Sequence, residues 1–220
     1  RGWGIIPVHA RGKRPLYNDW PKLNIGLGDL ARYFDGGTNI GVVLGDVSGG
    51  LVDVDLDCPE AVDLASDLLP PTRSFGRPGS RRSHWLYQAR GARTEKFSQA
   101  LGGSRSQMLV ELRANKTSEQ CEGLQTVFPG SVHESGERID WEPPPEAIVT
   151  VVKPEELRGR VARLAAAALL WRSGWPRDKA LAFAREPFAE QVRSVAAAVY
   201  GRLARWLGFP QRTTVPMGQP

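Results

Sequence analysis

Apolar and polar residues alternate in short runs through the first part of the chain and recur at helical spacing through the last. Residues 4–10, 40–44, 51–57, 83–89, 108–113 and 124–128 read as strands, and 147–152 as one more that closes the first unit. Pro7 places the opening strand at a sheet edge. Asp29 is positioned to cap a short helix over 29–34. Pro59 starts another, with Ala61, Leu64, Ala65 and Leu68 on its apolar face until Pro70-Pro71 stops it. A further helix is expected over 94–101. This order predicts an α+β fold, an antiparallel or mixed sheet with helices packed on it.

A stiff Trp141-Glu-Pro-Pro-Pro-Glu segment then marks a break. Beyond it, helices fit 155–173, 176–186 and 188–207, separated by Gly174 and Pro187. The expected division is a first domain over 1–152 and a small all-helical unit over 153–220. In that unit Leu164, Leu169, Trp171, Val195, Val199 and Trp206 are core candidates, whereas the arginines are open to phosphate or to solvent.

The strand at 51–57 carries the strongest chemical signal. Val52, Val54 and Leu56 point one way, and Asp53, Asp55 and Asp57 the other. Three like charges on one face repel. They are tolerable if solvated at an edge, or if a divalent cation sits among them. Asp57 is read as the residue before the helix at Pro59, not as part of the cluster.

Composition is that of a globular protein, 41% hydrophobic and 24% charged over 220 residues, with no apolar run of membrane-span length and no signal peptide. The chain opens at Arg1 and is expected to be a piece of a longer product. Cys58 and Cys121 are too few for a disulfide framework, which favours a reducing, cytoplasmic home. A site pairing Cys121 with His133 is possible, but two idle thiols are the simpler expectation. The net charge of +5 favours a polyanionic partner. Its distribution says more. Seven carboxylates and no Lys or Arg fall between Asp46 and Asp67, and six arginines with no carboxylate between Arg73 and Arg93. Such blocks suit a site holding cations in one half and phosphates in the other, or two oppositely charged solvated surfaces.

Three further motifs follow. Ser80-Arg-Arg-Ser-His84 is a basic loop delivering a histidine to the start of a strand, where arginines, hydroxyls and imidazole can grip a triphosphate. Val110-Glu111-Leu112-Arg113 puts a carboxylate and a guanidinium on one strand face, as a cation ligand and a phosphate contact or as a plain salt bridge. Gln125 to His133 leaves a strand into a turn presenting Ser131 and His133.

Together these segments resemble the bifunctional primase/polymerase (prim-pol) domains of the archaeo-eukaryotic primase superfamily, found in phage and plasmid replication proteins. The resemblance covers about residues 3 to 145. It rests on Gly12-Lys-Arg-Pro15 with Trp20, Thr38-Asn-Ile-Gly-Val42, the Asp53-x-Asp55 strand, Ser83-His84, Glu111, and the Pro129 to His133 turn. Arg81 and Arg82 stand where glycines are usual, and Gly130 replaces a second proline. The loop Asn115 to Gly123, with one cysteine, cannot form a zinc insertion unaided.

The resemblance implies a prim-pol fold with an RRM-like sheet and flanking helices, followed by a helical subdomain that helps initiate primers. It implies that Asp53, Asp55 and Glu111 hold two Mg²⁺ or Mn²⁺ ions for attack of a 3′-hydroxyl on an α-phosphate. Arg82, Ser83, His84 and Arg113 would bind the incoming nucleoside triphosphate, supported by Ser131 and His133. Lys13, Arg14, Arg77 and Arg81 would contact single-stranded DNA template and primer. A bacterial or archaeal host, no membrane partner, and a helicase domain elsewhere in the full-length chain are further expectations. Two other readings compete. One is a metal-dependent nuclease built on Asp55 and Glu111-x-Arg113, although arginine is a poor base in place of lysine. The other is a non-catalytic single-strand-binding sheet, which should present stacking aromatics instead of aspartates.

Overall fold

The computed structural model describes residues 2–34, 36–100, 106–115, 124–143 and 147–210. Two sheets and a helical layer share the chain. The smaller sheet is β1 (Ile5–Val8), β2 (Asn39–Val43) and β8 (Gln125–Val127), antiparallel in the order β1-β2-β8. Pro7 sits in β1 at its edge, as expected. The larger sheet runs β6 (Glu95–Ala100), β7 (Ser106–Arg113), β3 (Leu51–Leu56), β5 (Ser80–Gln88), β4 (Ser74–Arg77), β9 (Asp140–Trp141). The short β10 (Thr150–Val151) joins β5 in parallel.

Alternation along β3 decides what each face does. Val52, Val54 and Leu56 bury against the helices, while Leu51 turns the other way into a second core with Phe75, Leu86 and Phe128. Asp53 and Asp55 share that second face, beneath the smaller sheet.

The helices are α1 (Leu30–Tyr33), α2 (Pro59–Leu68), α3 (Pro154–Arg172), α4 (Arg177–Arg185) and α5 (Ala197–Leu207). Pro59 occupies the first turn of α2, whose Ala61, Leu64, Ala65 and Leu68 are buried as the spacing required. Asp29 makes no side-chain cap for α1. No helix among the described residues is long and apolar enough to cross a membrane.

The expected boundary between residues 152 and 153 falls just before α3, yet the core runs through it. Leu157, Leu164 and Leu169 of α3 lie in the same cluster as Val54 and Leu112 of the sheet. Trp206 and Leu164 are buried, and Trp171, Val195 and Val199 pack on this cluster. Leu169→Ala removes a fully buried side chain from that junction. It should cost about 2–5 kcal/mol and leave one shared unfolding transition in urea, seen together by tryptophan fluorescence and far-UV circular dichroism.

Three sequence expectations are corrected. The spacing over 94–101 suggests a helix, but 95–100 form β6. Glu95 reaches Arg158 of α3 and Phe97 packs edge-on to Trp206, while Lys96 faces Glu111, a period of two that a bulge between Phe97 and Ser98 interrupts. Residues 188–207 are not one helix. A 3₁₀ turn, Ala189–Val192, buries Val192, and extended Ala196 re-aims the chain into α5. The arginine-rich stretch is not a loop either, because 74–77 and 80–88 pair as the β4–β5 hairpin. Gly76 is what permits it, since a Cβ there would lie 2.4 Å from the carbonyl oxygen of Ser80.

Candidate active site

Register alone brings the charged residues together. Asp55 lies opposite His84 of β5 on one side and Glu111 of β7 on the other, and Asp53 lies opposite Arg113. Three neighbouring strands thus put three carboxylates, an imidazole and a guanidinium on the face beneath the smaller sheet.

Asp53 is completely buried. Its oxygens stand 3.1 and 3.2 Å from His84 Nδ1, and Arg113 Nη1 is 3.5 Å away. Burial alone would raise its pKa, but the His84 charge and hydrogen bond, then Arg113 and Thr126, hold it below the ordinary value. The same burial would discharge His84, yet the charges of Asp53 and Asp55 lift it to about 9, so it is protonated at neutral pH. Phe75 of β4 stacks flat on the imidazole, with centroids 4.6 Å apart and planes at 10°. This fixes the ring from the side opposite solvent.

Arg113 stands among the carboxylates. Its nitrogens are 3.5 Å from Asp53, 3.5 Å from Asp55 and 3.8 Å from Glu111, and Nη2 donates to the carbonyl of Gln125. The sequence pattern aims this guanidinium at phosphate. It lines the cavity, but its charge is directed at the carboxylates.

A cavity of about 700 Å³ opens in front of this face. Asp55, Asp57, His84 and Arg113 line its floor, and Lys13, Arg77, Arg81 and His133 its basic rim. Asp57 therefore does face the site, against the expectation that it merely precedes α2. At its exposed edge, partial enclosure and then the charges of Asp55 and Glu111 push its carboxyl up to about 6. Asp53 lies behind the floor, and Glu111 flanks it at 16% side-chain exposure.

The rim is partly neutralised. Arg77 pairs with Glu137, and Arg81 donates to Glu142 from Nε at 3.2 Å and Nη2 at 2.8 Å. Burial, then Arg77 and Lys13, lower the pKa of His133, whose Nδ1 accepts from the backbone of Ser135. Ser83 lines the cavity while its hydroxyl donates to the carbonyl of Ser80.

Three expected contacts are not brought to the cavity. Arg82, at φ +53°, leaves the bulged start of β5 on the far side, over the Trp85 ring at 5.0 Å. Ser131 is buried and braces β2, its hydroxyl accepting from Ile40 N–H at 2.9 Å. Arg14 is exposed on the basic turn beside Lys13, outside the cavity lining. The proposed Cys121–His133 pairing lies outside the described residues. Cys58 is a free buried thiol, pushed up to about 11 by burial.

Sequence reasoning missed the positioning residues. Phe75 lay hidden in the supposed loop, and Thr126 and Gln125 in an ordinary strand. Asn39 had a signal, since it opens the Asn-Ile-Gly-Val segment. Its buried amide donates to the carbonyls of Gly12 at 3.2 Å and Val132 at 2.8 Å and accepts from Val132 N–H at 2.9 Å. It thereby ties the basic turn to the turn bearing His133. Asn39→Asp loses both donations and should lower stability by about 1–3 kcal/mol in urea denaturation.

Aspartate and glutamate oxygens suit a hard divalent cation. Among the described residues no three such groups converge as they stand, because Arg113 takes the place between them. The donor set itself fits such an ion, since Asp53, Asp55 and Glu111 come from two paired strands onto one face and offer hard carboxylate oxygens.

A family model described as bifunctional DNA primase/polymerase, N-terminal, matches residues 1–158. No curated protein matches the chain.

Proposed function

The chain belongs to the bifunctional DNA primase/polymerase family, and from that membership we propose that the Asp53–Asp55–Glu111 face joins nucleotides on a single-stranded DNA template. DNA primase/polymerase nucleotidyl transfer is the activity the family implies. The observation that carries the assignment of residues is the register of β5, β3 and β7, which sets His84, Asp55 and Glu111 in one row.

Two Mg²⁺ or Mn²⁺ ions held by Asp53, Asp55 and Glu111 would supply the acidity for a primer 3′-hydroxyl and neutralise the leaving pyrophosphate. The protein's own groups prepare the rest. His84, protonated and held by Phe75 and Asp53, offers a fixed positive charge at the floor. Lys13, Arg77 and Arg81 offer donors at the rim, where triphosphate oxygens can displace Glu137 and Glu142 from their arginines. Arg113 neutralises the carboxylates before any cation enters. Ser83 and His133 support the rim as nucleotide contacts, whereas Arg82 and Ser131 are left out. The setting is phage or plasmid DNA replication in a bacterial or archaeal cytoplasm, with a helicase domain fitting elsewhere in the full-length chain.

A labelled primer on single-stranded DNA tests this, with and without nucleotides, primer, and Mg²⁺ or Mn²⁺. Extension that requires nucleotides and ion supports the reading, and product from unprimed template adds priming. Shortening without nucleotides would mean a nuclease. Binding with no product under any condition would mean a single-strand-binding module.

A further inference from the structure

We infer that single-stranded DNA is gripped by the exposed face of residues 11–33, at the mouth of the cavity, and not by the helical tail. The inference rests on the proposed activity only for calling that strand a template. The binding itself stands apart from it.

The tail carries ten basic residues and five acidic ones between 155 and 207, and looks the more natural ligand for phosphate. Folding consumes most of that charge. Arg158 holds Glu95, Arg172 holds Glu60, and Arg177 holds Asp63 and Asp67. Arg185 also reaches Asp67, and Arg202 donates to the carbonyl of Ser98. These pairings fasten helices to sheet and to one another.

Residues 11–32 are different. Arg11, Lys13, Arg14, Lys22 and Arg32 are all exposed, and none has an acidic partner among the described residues. Aromatic surface lies between them. Tyr17 is 42% exposed and meets Tyr33 edge to face at 5.6 Å, and the Arg32 guanidinium lies 5.6 Å from the Tyr33 ring centre. Free cations with a braced, accessible ring between them suit a single strand, whose phosphates release counterions and whose bases stack without regard to sequence.

The face is also built in place and continuous with the site. His9 N–H donates to the carbonyl of Arg14, Leu16 N–H to that of Pro7, and Gln125 Nε2 to that of Lys13 at 2.7 Å. Lys13 itself lines the cavity. A strand lying across Tyr17 and Arg14 therefore enters the cavity past Lys13, without a further ordering cost for the turn.

The test is anisotropy of a fluorescent oligothymidylate in chelator, without nucleotides, over a range of salt. Tyr17→Ala should weaken binding by about tenfold and Tyr17→Phe should bind as the parent protein, since the ring is what stacks. Arg11→Ala/Arg14→Ala should weaken binding and make the slope of log affinity against log salt shallower by about 1.4, about 0.7 for each phosphate left without its arginine. Lys179→Ala/Arg205→Ala in the tail should change nothing. Circular dichroism of each variant checks the fold. Parental affinity and slope in the 11–17 variants, or loss of binding in the tail variant, would overturn the inference. Its failure is distinct from failure of the proposed activity. Asp55→Asn should keep oligothymidylate affinity whatever it does to synthesis, and a parent protein that binds through residues 11–33 yet makes no product would sink only the activity.

Discussion

Replacing Asp55 with asparagine should abolish nucleotide incorporation, by on the order of a thousandfold or more, and leave the chain folded. The substitution keeps the shape of a side chain that is 20% exposed and removes only its charge. Asp55 is the carboxylate that lines the cavity floor between His84 and Glu111, so any cation or triphosphate there meets it directly. Asp53 is a less clean probe. Buried between His84 and Arg113, it balances both, and its loss would confuse chemistry with folding. Steady-state incorporation and a urea melt, run on the same Asp55→Asn preparation, separate these effects. Activity within a few-fold of the parent would remove Asp55 from the chemistry.

Arg113→Ala should destabilise the protein by about 3–5 kcal/mol, because one guanidinium compensates Asp53, Asp55 and Glu111 at once. For a chain of this size that corresponds to a melting temperature lower by about 10 °C. Millimolar Mn²⁺ should recover part of the loss in the variant and shift the parent less, since in the parent the cation must compete with Arg113. A double titration of melting temperature against Mn²⁺ reads this directly. An unchanged melting temperature in the variant, or equal Mn²⁺ shifts in both proteins, would show that Arg113 is not the internal counter-charge.

The sequence made the central strand legible because its alternation is strict. Val52, Val54 and Leu56 could only bury together, and that forced Asp53 and Asp55 onto one face. The helix after Pro59 was equally clear, from its start signal and apolar spacing. The misreadings share a cause, which is tertiary pairing overriding a local pattern. In β6 a bulge breaks the alternation after Phe97, leaving a string that resembles a helix until Trp206 and Arg158 are placed beside it. Arg82 looked like a phosphate ligand by its place next to Ser83-His84, but the bulge opposite Gly76 turns it to the other side. Ser131 looked available in a turn, yet Ile40 lies 91 residues earlier in sequence and claims its hydroxyl. Composition left the tail arginines open to phosphate or to solvent, because the carboxylates that pair with Arg158, Arg172 and Arg177 sit far off in sequence, on β6 and α2.

The most direct test is incorporation of labelled nucleotide on a single-stranded template with Mn²⁺, comparing the parent protein, Asp55→Asn and Glu111→Gln. The account predicts template-dependent product from the parent and none from either variant, with all three retaining oligothymidylate binding. Product from the variants at the parental rate would contradict it, and so would a parent that binds DNA but never extends it.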